Sequence, residues 1–65
     1  MIAVDLFCGA GGLTRGLLDA GISVVLGVDS NSDYSRTYNA NNAPSKFLAT
    51  DIRDVKASEL KKYIP

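Results

Sequence analysis

Residues 5–12, "DLFCGAGG", follow directly on the apolar, β-branched start Ile2-Ala3-Val4. An apolar run that stops at glycines reads as a buried strand, 2–7, entering a tight turn. Behind the turn, "GLTRGLLDAG" (12–21) sets Leu13, Leu17 and Ala20 at helical spacing and closes on Gly21, which predicts a helix. The order strand, glycine turn, helix decides the fold.

Working outward, "SVVLGVDS" (23–30) predicts a second buried strand and "NSDYSRTYNANN" (31–42) a second helix. Ser30 with Asp33 forms an approximate capping box, and Tyr34 and Tyr38 share one face as core packing. "KFLAT" (46–50) reads as a third, shorter strand, and residues 56–65 as one or two helical turns. Helices between successive strands imply a parallel sheet with right-handed crossovers. The expected fold is α/β, the β-α-β-α-β mononucleotide-binding half of a Rossmann-like doubly wound sheet. Strand one is then inner and strand three the outer edge. A complete sheet would set a fourth strand against the first, so the fold is expected to be incomplete. Its unpaired edge is expected to self-associate or to pair with a complementing polypeptide.

Bulk properties narrow the chemistry. The chain has 65 residues, seven basic against seven acidic side chains, one cysteine and no histidine. A domain this small buries only about 60% of its unfolded surface. An internal disulfide, a His/Cys zinc site and a Ser-His-Asp triad are all excluded within it. Balanced charge gives no electrostatic footprint for nucleic acid or membrane, and five of the basic residues lie among acids from Lys46 onward. With no basic leader and no long apolar segment, a soluble, cytoplasmic chain without membrane contact is expected.

In open α/β sheets ligands bind beyond the carboxyl ends of the strands. Each of the three strand ends here carries a carboxylate: Asp5, Asp29 and Asp51. Gly9 and Gly11 let the backbone turn sharply and let a ligand approach, and Gly12 opens a helix whose free N–H groups favour an anion. Asp29 stands 20 residues past the first glycine, where an acid accepts from both hydroxyls of a ribose. The dinucleotide fingerprint fails, because its third glycine falls on Thr14. No Lys-Ser/Thr pair follows the turn, so a P-loop is also excluded. S-adenosylmethionine, with its ammonium, sulfonium, carboxylate and ribose, suits the groups present.

The stretch "DLFCGAGGLTRGLLDAG" closely resembles the first motif of the DNA (cytosine-5) methyltransferases, D-L-F-x-G-x-G-G. "VVLGVDSNSDYSRTYNANN" and "ATDIRDV" resemble the second and third motif regions, so the likeness covers residues 2 to 55. The resemblance implies S-adenosylmethionine as methyl donor and cytosine carbon 5 in DNA as acceptor, as in restriction-modification enzymes. It implies that Phe7 stacks on the adenine, that Gly9 turns the loop and that Ala10, Gly11 and Gly12 line the methionine portion. Asp29 would hold the ribose, Asp51 would accept from the adenine amino group, and Ile52 would pack on the ring. Ser30 stands where the family often has a bulky residue covering the base.

The family's nucleophile lies in a Pro-Cys motif after strand four, which residues 1–65 do not contain. The chain therefore reads as a partial catalytic domain, 1–65, inactive alone, with little direct contact to DNA. Cys8 reads as a wall of the cradle, and Arg53 and Asp54 as solvated surface. The alternatives are an NAD- or FAD-binding segment, disfavoured by Thr14, and a non-catalytic interaction remnant of a methyltransferase.

Overall fold

In the computed structural model, which describes residues 1–65, β1 (Ile2–Leu6), β2 (Ser23–Asp29) and β3 (Lys46–Ala49) form one parallel sheet in the order β1-β2-β3. Helix α1 (Gly12–Asp19) joins the first two strands, and α2 (Ser35–Asn41), entered through a 3-10 turn at Ser32–Tyr34, joins the second and third. A second 3-10 turn, Ile52–Asp54, leads to α3 (Ala57–Lys61). The expected α/β half-sheet is what forms, with β2 at its centre and β1 at an edge.

Centrality explains the burial. Val24, Leu26 and Val28 of β2 are each at most 2% exposed. One row across the sheet sets the packing of the helices. Asp5, Gly27 and Phe47 are register partners on β1, β2 and β3, so their side-chain positions share a face. The ring of Tyr38 from α2 lies over the bare Gly27, where any β-carbon would overlap it. That ring sits 5.6 Å from the Phe47 ring, tilted by 56°, a favourable edge-to-face separation. Tyr38 is wholly buried, the largest side chain in the core.

Three details differ from expectation. Leu13 is 64% exposed, and α1 instead turns Thr14 inward with Leu17 and Leu18 half-buried. A hydrogen bond from Thr14 to Asp5 (below) fixes that rotation. Tyr34 is partly exposed, so only Tyr38 of the tyrosine pair is core. Helix entry is capped by Asn31, whose Oδ1 accepts the Asp33 N–H at 3.0 Å, and not by Ser30.

β1 pairs only with β2, and its Ile2 and Leu6 are each 46% exposed. No helix is long and apolar enough to cross a membrane.

Candidate functional site

The site grows from the turn between β1 and α1. Phe7, Gly9 and Gly11 all have left-handed backbone, with φ of 56°, 54° and 95°. For phenylalanine that conformation costs about 1–2 kcal/mol, yet its ring is 74% exposed. The strain is offset by hydrogen bonds that tie the turn to β2. Cys8 N–H donates to the Val28 carbonyl at 3.0 Å, and Gly9 N–H donates to Asp29 Oδ2 at 2.9 Å. Asp29 Oδ1 accepts the Asn31 N–H, also at 2.9 Å. One carboxylate thus clips the glycine turn to the loop before α2, and each oxygen keeps a lone pair for a further donor.

Phe7, Val28, Asp29, Ser30, Thr50, Asp51 and Ile52 line one small cavity of about 70 Å³. Five residues singled out from sequence therefore meet: Phe7, Asp29, Ser30, Asp51 and Ile52. Val28 and Thr50 were not singled out, although each directly precedes an acid that was. Ala10, Gly11 and Gly12 are not in this group. They line a separate open depression with Arg15, Thr37 and Asn41.

Two glycines that look alike in sequence do opposite things. A β-carbon on Gly9 would meet nothing within 4 Å, so this position faces open space. One on Gly11 would overlap Tyr38 and Asn42, so Gly11 faces the core rather than a ligand. Asp5 is likewise withdrawn from the crevice. It is 6% exposed, and two carboxylates, Asp29 and Asp51, remain on the cavity.

Asp5 instead ends a buried chain of hydroxyls. Thr14 Oγ1 lies 2.6 Å from Asp5 Oδ2 and 3.0 Å from Tyr38 Oη, which lies 2.7 Å from Ser45 Oγ. A carboxylate only accepts, so Thr14 donates to Asp5. Its single proton is then used, so Tyr38 donates to Thr14 and Ser45 to Tyr38. Burial holds the Tyr38 phenol above its ordinary titration range, which keeps that proton in place. Thr14 thus breaks the dinucleotide fingerprint for a structural reason. Thr14→Val keeps the shape but strips Asp5 of its donor and Tyr38 of its acceptor. We expect a loss of about 2–3 kcal/mol in urea denaturation; a loss below about 0.5 kcal/mol would contradict this polarity.

Cys8 is buried, and its thiol is pushed from the ordinary 9.0 up to about 11, first by burial and then by the charges of Asp5 and Asp29. A neutral thiol is a poor nucleophile. Because the folded value exceeds the unfolded one, this residue's contribution is intact below pH 9 and lost as pH rises toward 11. Cys8→Ala should therefore remove part of the alkaline loss of stability while leaving nucleoside affinity within about tenfold. Denaturation at pH 8 and pH 10.5, with calorimetric titration, checks both.

Comparison with known proteins gives the family and the fold. The profile of the C-5 cytosine-specific DNA methylases matches residues 1–64. The type II methylase M.HgiDII of Herpetosiphon aurantiacus is 39% identical over 62 residues, which is 95% of this chain and 17% of that protein. The type II methyltransferase M.DdeI of Desulfomicrobium norvegicum is 33% identical over 94% of this chain and 15% of its own length. The chain thus spans about a sixth of these relatives. The crystal structure of the S. pombe Dnmt2 methyltransferase superposes with a TM-score of 0.75 over 98% of this chain and 20% of that one, at 23% identity.

Proposed function

Because the chain belongs to the C-5 cytosine-specific DNA methylase family, we propose that it is the S-adenosylmethionine-binding part of an enzyme that methylates carbon 5 of cytosine in DNA. The observation that carries this reading is the meeting of Phe7, Asp29, Ser30, Asp51 and Ile52 on one cavity at the ends of β2 and β3. Residues 1–65 form a partial catalytic domain in it.

The residues present suit the cofactor. Phe7 offers a bare aromatic face held out at a cost in backbone strain. Asp29 keeps one lone pair on each oxygen for the two ribose hydroxyls. Asp51 is an acceptor for the adenine amino group, with Ile52 beside it. Gly9 leaves space at the turn, and Gly12 opens α1, an eight-residue helix whose first N–H groups favour the methionine carboxylate. Ala10 and Gly11 contribute through backbone. Bound there, S-adenosylmethionine supplies an electrophilic methyl group on a sulfonium.

No residue here supplies the thiolate that attacks cytosine carbon 6, since the Cys8 thiol is buried and kept protonated. The chain alone is therefore inactive, and DNA is the substrate of a larger assembly. The free edge of β1 takes either a further polypeptide that extends the sheet or a second copy. Sedimentation as a stable folded monomer would count against both.

Calorimetric titration with S-adenosylhomocysteine and, separately, with NAD tests the cofactor assignment. Binding of the first alone is expected. Binding of NAD would favour a dinucleotide-binding segment, and no ligand-induced stabilisation in either arm would favour a non-catalytic remnant.

A further inference from the structure

Asp51 is the most heavily tied carboxylate of the cavity. Its Oδ1 accepts the Arg53 backbone N–H at 2.9 Å and Arg53 Nε at 3.0 Å, and its Oδ2 accepts an Arg53 terminal guanidinium nitrogen at 2.7 Å. Three of about four lone-pair sites are used, and the free one is on Oδ2. A guanidinium fork also fixes the plane of the carboxylate, which a lysine would not do. Asp51 caps the 3-10 turn at Ile52–Asp54, so backbone and side chain of Arg53 grip the same group.

The geometry points to Arg53 as a positioning residue that makes the cavity select a purine with a 6-amino group over one with a 6-oxo group. This rests on the nucleoside reading above. A fixed, ionised carboxylate accepts from an amino group and repels a carbonyl oxygen. Unfixed, it would swing aside, relieving that repulsion and losing its preorganised acceptor. The same contacts hold the Asp51 carboxyl below its usual range, so it stays an acceptor. Of the other charged groups nearby, Asp29 shares the cavity and Asp54 the turn. Arg53 is the cation among them. Its ion pair is exposed, and exposed pairs add little to stability, so variants at this position should denature like the parent.

The test compares affinities for S-adenosylhomocysteine and S-inosylhomocysteine. The parent chain is expected to prefer the amino form, and Arg53→Gln to reduce the ratio about threefold, within what an exposed pair can impose, partly by binding the oxo form better. Arg53→Lys keeps the charge without the fork and is expected to restore the ratio only in part. Equal losses for both ligands, or an unchanged ratio, would overturn the inference and leave the cofactor assignment standing. Full restoration by lysine would overturn the role of the fork. A parent chain that binds neither nucleoside would overturn both readings.

Discussion

Gly11→Ala is expected to leave the chain largely unfolded at room temperature, whereas Gly12→Ala, one residue on, is expected to stabilise it. Gly11 has φ of 95° and caps α1. Alanine in that left-handed conformation costs about 1–2 kcal/mol. The added β-carbon would also overlap Tyr38 and Asn42, and Tyr38 is pinned by its hydroxyl chain and by Phe47. Overpacking of this kind costs a further 1–3 kcal/mol or so. Together the two penalties reach about 3–5 kcal/mol, comparable with the whole stability of a domain this small. Gly12 lies in the first turn of α1 with nothing within 4 Å of its would-be β-carbon, so alanine there gains up to about 1 kcal/mol from helix propensity. Far-ultraviolet circular dichroism against urea measures both. Coinciding midpoints would mean that Gly11 does not face the core.

The contrast between Gly11 and its neighbours marks where sequence reading stops. Strands and helices were legible because period and punctuation are local: "IAVDL" and "SVVLGVD" are apolar runs ended by glycine or acid, and β1, α1, β2, α2 and β3 lie within a few residues of their expected bounds. Asp29 and Asp51 stood out because strand ends in a parallel sheet converge on one side, whereas Phe7, Ser30 and Ile52 were singled out by the family resemblance alone. What was not legible is which way a side chain points within a turn. Gly9 and Gly11 are both glycines with positive φ, and only packing from α2 makes one open and the other closed. Asp5 carries the same charge as Asp29, but Thr14 draws it into the core through a network completed 24 and 31 residues farther along, at Tyr38 and Ser45. Leu13 is more apolar than Thr14, yet Thr14 is the residue turned inward. Arg53 is solvated surface, as expected, and what its sequence position does not show is the fork it places on Asp51, two residues away on the loop that leaves β3. In these cases packing between elements, or a long-range or turn-specific hydrogen bond, decides what a local pattern leaves open.

Asp29→Asn is expected to weaken S-adenosylhomocysteine binding about hundredfold, a loss near 2.7 kcal/mol. The substitution is nearly isosteric, so the effect must come from donors and acceptors. The two carboxylate oxygens accept from different N–H groups, Gly9 on Oδ2 and Asn31 on Oδ1. An amide has one acceptor oxygen, so its NH₂ must face one of those N–H groups. If the amide gives up Gly9, the glycine turn that presents Phe7 loses its clip to β2. If it gives up Asn31, the entry to the 3-10 turn at Ser32–Tyr34 loosens instead. Either way, one of the two ribose hydroxyls loses a charge-assisted acceptor worth roughly 1.5–3 kcal/mol. Stability should fall less, by about 1 kcal/mol, because the orphaned N–H lies at a partly exposed site that water reaches. Ser30→Ala, on the same cavity but exposed and holding neither loop, is expected to stay within about threefold of the parent. Calorimetry on the two variants separates the proposals. An Asp29→Asn affinity within threefold of the parent would mean that this carboxylate only clips the loops together and that the ribose is held elsewhere.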